Sequence, residues 1–281
     1  MGKLLNRRNF VFFYLLSMVA ASFFFWNKPI AAMESMGRVP VLMYHSVLNK
    51  AAKCGKYAVS QKLLEQDLKY LKANGYETVT AKELAEMLGA GKKIPPKSII
   101  LSFDDGYYNN LLNALPLLEK YDMKAVISVV GKYTEIYGES EDENPAYAYL
   151  DYEDIDKLLE SGRIEIANHS YDLHRQTPRH GTMQIKGEND EHYKKAFIED
   201  TEKCKALIEE HCKTPMTTYT YPFGQITPAS QGFLKDMGYT VIFTCYEKIN
   251  TPISGESPII LGRFNRPFGI STADFMKKCK I

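Results

Sequence analysis

Tryptophan is nearly absent. The chain has one, Trp26, against 19 tyrosines and 14 phenylalanines. Aromatic packing in the body therefore falls to Tyr and Phe, and the tyrosine count alone does not separate a ligand-binding cleft from a core. Cysteine is scarce and spaced wrongly for a metal. Cys54, Cys204, Cys212, Cys245 and Cys279 form no Cys-x-x-Cys and no Cys/His cluster, which excludes a cysteine-based zinc site. Five is an odd number, so at least one thiol lacks a partner within the chain. Cys204 and Cys212 fall two turns apart on one predicted helix, too far for a bridge. Excess charge is missing as well. A net charge of +1 at pH 7 gives no basic field for nucleic acid and nothing that demands an acidic polymer. Internal repeats and a clear domain boundary are also lacking.

What is present is an ordinary globular composition, 45% hydrophobic and 25% charged over 281 residues. The N-terminus differs. Lys3, Arg7 and Arg8 precede an uncharged, largely apolar stretch, 10–26, and Lys28 follows. Residues 1–32 read as a secretory signal peptide or an N-terminal membrane anchor, with a weak cleavage site after Ala32. Residues 33–38 read as a tether, and 39–281 as one catalytic-sized domain outside the cytoplasm.

The body is organised around Ser98–Phe103 followed by Asp104-Asp105-Gly106. A short β-branched run after Pro95-Pro96 predicts a buried strand ending in two adjacent carboxylates. Side chains leave a strand in alternating directions, so the two carboxylates can do different work. Their repulsion asks for a positive partner, most simply a metal ion. Taken alone, the stretch is equally an acidic turn, since Asp-Gly is a common turn dipeptide.

Strands and helices alternate on both sides of it. A strand over 39–44 ends at His45. Ser60 caps a helix with Leu63, Leu64, Leu68 and Leu71 on one face, and Thr80 with Glu83 makes a capping box for the next. A helix over 109–121 is interrupted by Pro116. Strand 124–130 leads to an acidic, tyrosine-bearing loop over 133–149, and then to a helix over 151–161. Strand 164–166 runs into Asn168-His169. A polar segment, 175–193, is a candidate lid before a helix over 194–212. Strand 217–221 meets the turn Pro222-Phe223-Gly224. Helix 229–237, strands 239–244 and 259–264 and helix 272–278 complete the chain. This alternation, with polar chemistry at strand C-termini, predicts a parallel α/β fold, and about seven units fit a (β/α) barrel in a single domain. His169 and His174 are five residues apart, a spacing that converges in a strand-to-loop turn rather than on a helix face. Two histidines and an aspartate with open positions form a catalytic rather than a structural zinc pattern.

Ser-Phe-Asp-Asp-Gly, His-Ser-x-x-x-His and Tyr-Pro-Phe-Gly, in that order, resemble the motifs of the polysaccharide deacetylases, the NodB-homology or carbohydrate esterase family 4 enzymes. The resemblance runs from about Val39 to Arg263. It implies a distorted (β/α) barrel, a divalent metal, usually zinc, and removal of acetyl groups from an N-acetylated polysaccharide. Carried over by motif, Asp104 matches the general base, and Asp105, His169 and His174 the metal ligands. Phe223 sits where a backbone N–H helps hold the oxyanion, with Tyr221 beside it.

Three departures stand out. One extra residue separates the histidines, Thr220 stands where many members have Arg, and Leu261-Gly262-Arg263 replaces a C-terminal Leu-x-His. The opening Pro-Val-Leu-Met-Tyr-His instead resembles a permuted subgroup that includes poly-N-acetylglucosamine deacetylases. That subgroup takes its acid histidine from the first strand. His45, as imidazolium, is then the expected acid, and Arg263 the charge that tunes Asp104 or meets the substrate. The expectation is a metal-dependent hydrolase acting on N-acetylglucosamine units of a cell-surface polysaccharide or peptidoglycan. An O-acetyl (xylan-type) esterase and a non-catalytic sugar-binding protein are the alternatives. The partners expected are the polymer and, through an uncleaved N-terminus, the membrane, with no nucleic acid.

Overall fold

The computed structural model describes residues 36–140 and 142–281. The export segment expected over 1–32 lies outside the described residues. Met36, assigned by sequence to a tether, is already docked: it is buried, and its N–H donates to the Pro252 carbonyl at 3.0 Å. No helix among the described residues is long and apolar enough to cross a membrane.

In chain order the elements are β1 (Val41–Tyr44), β2 (Ser46–Leu48), β3 (Ala58–Ser60), α1 (Gln61–Ala73), β4 (Glu77–Thr78), α2 (Ala81–Gly89) and β5 (Ser98–Phe103). Then come α3 (Leu115–Tyr121), β6 (Ala125–Val129), α4 (Gly131–Ser140), α5 (Tyr152–Glu160), β7 (Ile164–Asn168) and α6 (Asp190–Cys212). The last are β8 (Thr218–Thr220), α7 (Pro228–Asp236), β9 (Val241–Phe243), β10 (Ile259–Leu261), β11 (Phe264–Asn265) and α8 (Thr272–Lys278). Ser60 and Thr80 cap α1 and α2 through their side chains, and the Thr80–Glu83 capping box is closed in both directions.

The strands pair in parallel in the order β10-β9-β8-β7-β6-β5-β1-β11, with β4 added beside β5. β10 and β11 lie at opposite ends of this path, yet only Gly262 and Arg263 separate them in sequence. Seven inter-strand steps laid flat would part the two ends by ~34 Å, whereas three residue steps reach at most ~11 Å. The sheet therefore curls into a distorted (β/α) barrel whose seam is Gly262-Arg263. The single strand expected over 259–264 is corrected to two. Gly262 permits the break, because a Cβ there would sit 2.2 Å from the Tyr246 carbonyl oxygen.

Strand alternation sorts the core. Val41, Ile100, Val126, Ala167, Val241, Phe243, Ile259 and Leu261 fill the barrel and pack on Ala81, Leu84 and Leu88 of α2. Leu42, Tyr44, Ile99, Leu101, Phe103 and Ile127 face outward to the helices. Extending the inward parity by one or two residues past each strand gives His45, Asp104, His169, Cys245 and Arg263. The barrel thus has an apolar floor and a polar rim at the strand C-termini.

As expected, Pro116 perturbs the helix over 109–121: a π-helical turn over Asn110–Ala114 passes into α3, which holds Pro116 in its first turn. Two other helices differ from expectation. The acidic loop expected over 133–149 begins as α4. That helix buries only Gly131 and Thr134, so it shows almost no apolar stripe. The first turn of α6 takes residues 190–193 from the candidate lid, with Asn189 as its cap.

Candidate active site

The geometry begins at the end of β5. Asp104 keeps the inward parity, while Asp105 breaks it with φ of 74° and Gly106 continues at 71°. Positive φ is costly for Asp and free for Gly. It turns the Asp105 carboxylate across the barrel mouth beside that of Asp104. Gly106 is also tight, since a Cβ there would meet Val129 Cγ1 at 3.1 Å and Val129 Cα at 3.2 Å.

Asp105 meets the two histidines. Its Oδ1 lies 3.4 Å from His169 Nε2 and 3.1 Å from His174 Nε2. Asp105, His169 and His174 each offer one ligand atom, all within 4.8 Å of one another. His169 Nδ1 is 2.8 Å from the Thr220 carbonyl oxygen, so Nδ1 carries a proton, and in the neutral ring Nε2 keeps the lone pair a metal would take. Burial opposes ionisation of Asp105, but the imidazoles of His169 and His174 hold its carboxyl well below the usual range. Burial also disfavours a charged His169, yet the bond to Asp105 and the nearby Asp104 raise it overall. Two carboxylates face one guanidinium here, and the surplus negative charge suits a cation. Two nitrogens and a carboxylate oxygen, with further positions open, fit a divalent ion such as zinc.

Asp104 is gripped by Arg263. Nη1 donates to Oδ1 at 2.6 Å and Nη2 to Oδ2 at 2.8 Å, with both side chains buried. Burial would raise the Asp104 carboxyl, and the guanidinium reverses this and lowers it. His45 Nε2 lies 3.9 Å from Asp104 Oδ2, and its Nδ1 is buried with no hydrogen-bond partner among the described residues. Burial lowers the His45 pKa despite the attraction of Asp104. A charged ring would also bury an unpaired N–H. Both effects disfavour the imidazolium form expected from sequence.

The Pro222-Phe223-Gly224 turn closes the opposite wall. Phe223 has φ of 55°, and its ring stacks on His174 at 4.6 Å between centroids. As the second residue of a single 3₁₀ turn, its N–H has no acceptor within that turn. Two sequence-predicted substrate residues do not reach the cavity as side chains. Tyr221 shares the outward parity of Tyr219, is buried, and pairs its hydroxyl with Ser230 Oγ at 2.8 Å. Arg263 is fully buried beneath Asp104.

The segment after the histidines is not a loose flap. Arg179 and Glu188 pair inside it at 2.9 Å, Thr182 Oγ1 donates to the Gln225 carbonyl, and Tyr193 donates to the Thr182 carbonyl at 2.8 Å. It buttresses the Phe223 turn. The cavity above all these groups measures about 510 Å³. Sequence reasoning missed Met43, Tyr57, Tyr107, Gln176, Cys245 and Asn265 on its lining. Strand parity could have found Met43 and Cys245; the others sit on loops or beyond the seam. All five cysteines are free thiols, three of them buried.

A family model described as polysaccharide deacetylase matches residues 91–242. The chain is 26% identical over 200 residues to a poly-β-1,6-N-acetyl-D-glucosamine N-deacetylase of Staphylococcus aureus (strain MSSA476), covering 71% of this chain and 65% of that one. It is 22% identical over 222 residues to the protein of the same name in Escherichia coli (strain K12), covering 72% of this chain and 33% of that one. This chain thus spans less than two thirds of either relative. Among solved structures, IcaB from Ammonifex degensii superposes with a TM-score of 0.71 at 25% identity, over 86% of this chain and 96% of that one.

Proposed function

We propose that this chain, which belongs to the polysaccharide deacetylase family, is a divalent-metal-dependent hydrolase that removes N-acetyl groups from a poly-N-acetylglucosamine-type polymer at the cell surface. The observation that carries the reading is the convergence, in one cavity, of the Asp105/His169/His174 cluster with an Arg263-held Asp104 and His45. The names of the Staphylococcus aureus and Escherichia coli relatives support the N-acetylglucosamine polymer. The basic and then apolar N-terminus supports export.

Asp105, His169 and His174 would hold the cation. When bound, a divalent ion such as zinc supplies Lewis-acid polarisation of the acetyl carbonyl and acidifies water. Asp104, kept ionised by Arg263, accepts the proton of the attacking water. The Phe223 N–H faces the oxygen on which negative charge builds. The departing nitrogen needs a proton. Neutral His45 gains one during turnover, and Asp104, 3.9 Å from Nε2, is the donor at hand. His45 then delivers it to the sugar amine, which restores both groups.

The test is acetate release from N-acetylglucosamine oligomers, followed by mass spectrometry with and without a chelator and added zinc. Asp104→Asn is expected to keep zinc and lose ~10²–10⁴-fold in turnover, and His174→Ala to lose zinc itself. Full turnover by Asp104→Asn would overturn the base assignment. Acetate released only from O-acetylated xylan would replace the substrate class.

A further inference from the structure

The two histidines converge across a gap that regular structure does not bridge. Neighbours on a helix face are three or four residues apart, whereas His169 and His174 are five apart and still reach the same Asp105 oxygen. The intervening backbone makes a tight turn through Ser170, at φ of 75°. Its peptide groups are tied one by one. The Ser170 N–H donates to Asn168 Oδ1 at 2.8 Å, and Asn168 Nδ2 is itself fixed on the Thr201 carbonyl and the Tyr239 hydroxyl. The carbonyls of Ser170 and Tyr171 accept the Gly131 and Lys132 N–H groups at the start of α4, both at 3.0 Å. The next two N–H groups go to a single side chain. Asp200 of α6 takes Tyr171 N–H on Oδ1 at 2.8 Å and Asp172 N–H on Oδ2 at 2.7 Å.

We propose that Asp200 is a positioning residue of the metal site, its two carboxylate oxygens setting the turn that lets histidines spaced by five residues meet at Asp105. This rests on reading Asp105, His169 and His174 as ligands of a divalent cation. Only a carboxylate can do it at this place. Two adjacent N–H donors need two acceptor oxygens, and an amide offers one oxygen and turns its NH₂ toward the other donor. The hold also comes from the helix that grips Asn168 through Thr201, so one rigid element sets both the start and the middle of the turn. Gly131 is what brings that helix close. A Cβ there would lie 3.1 Å from Cys204 Sγ and 3.1 Å from Tyr171 Cδ2. Asp200 hydrogen-bonds the turn rather than any of the three ligands, and its effect on a cation is through the spacing alone.

The experiment is zinc affinity of the full chain by competition with a chromophoric chelator, together with the visible spectrum of the cobalt(II)-loaded protein and the melting of the metal-free form. Asp200→Asn is expected to weaken zinc about 10–100-fold, to alter the cobalt bands, and to regain its kcat when zinc is saturating. Should that variant not fold, Asp200→Glu is measured instead; it keeps the charge but moves the carboxylate by one methylene, and the same weakening is expected. Zinc affinity within twofold of the parent in a folded variant overturns the role of Asp200, whatever its melting temperature. A parent protein that binds no divalent cation overturns the reading of the site itself.

Discussion

Replacing Arg263 tests the electrostatic heart of the site. All of its N–H groups point at acceptors: Nε at the Thr244 carbonyl, Nη1 at Asp104 Oδ1 and Ser102 Oγ, Nη2 at Asp104 Oδ2 and, weakly, at Cys245 Sγ. The Arg263 side chain is 0% exposed and that of Asp104 3%, so neither charge has water to fall back on. Arg263→Met strands a buried carboxylate, and breaking such a pair from one side costs about 3–5 kcal/mol. Part of that cost is escaped by protonation. Losing ~3 kcal/mol of interaction with the charged form moves a carboxyl up by about two pH units. The parent carboxyl is depressed, so its contribution to stability is present above the ordinary carboxylate range and lost as pH falls. In Arg263→Met the sign reverses, and the stability deficit shrinks on acidification. Arg263→Lys keeps a charge but loses the fork, and is expected to fold with kcat/KM reduced about 10²-fold or more. Urea unfolding at several pH values and the pH profile of kcat/KM on N-acetylglucosamine oligomers give both readouts, with the acidic limb displaced upward in each variant. A folded Arg263→Met within 1 kcal/mol of the parent at pH 7, with an unmoved acidic limb, would refute the reasoning.

Gly106→Ala is expected to cost at least about 1–2 kcal/mol from the left-handed backbone alone, with more from the contact on Val129; a melting temperature equal to the parent's would contradict this. Asp67 is fully buried and accepts from Arg266, Tyr44 and Thr272, joining α1, β1, the residue that follows β11, and α8. Asp67→Ala should lose about 3–5 kcal/mol, and a double-mutant cycle with Arg266→Met should return a coupling well above 0.5 kcal/mol; additivity would sink that claim. The bonds from Arg179 hold the Glu188 carboxyl down at about 2. Its support of the 176–189 segment is therefore complete above the ordinary Glu value and fades as pH falls toward 2, which amide exchange across that segment will detect as lost protection.

The parallel alternation, the first two helix caps and the three motifs were legible because each rests on short-range chemistry: period-two burial, a Ser or Thr before a helix, a glycine after two acids. What escaped was set by distant contacts. The outward turn of Tyr221 follows from its parity with Tyr219 and was readable, but the motif drew attention to the wrong residue, since Phe223, two positions on, is the one that lines the cavity. Helix α4 was hidden because its stability comes from packing on α6 through Gly131 rather than from an apolar face. The break at Gly262 has no local signal at all, since it is dictated by the Tyr246 carbonyl that the glycine must avoid. The burial that lowers the His45 pKa could not be read from its motif, because the lack of a partner for Nδ1 is a property of the folded barrel.

The seam at Gly262-Arg263 ties biogenesis to chemistry. Asp104, the base in the proposed mechanism, is laid down early in synthesis, and the guanidinium that pairs with it comes from residue 263, on the link that joins the two ends of the sheet. Any nascent or truncated chain that stops short of that link carries its carboxylate pair without a counter-charge and without β11 beside the first strand. Under the proposed mechanism, hydrolytic competence in this barrel is thus acquired late. On that reading, an active molecule is one whose sheet has been completed.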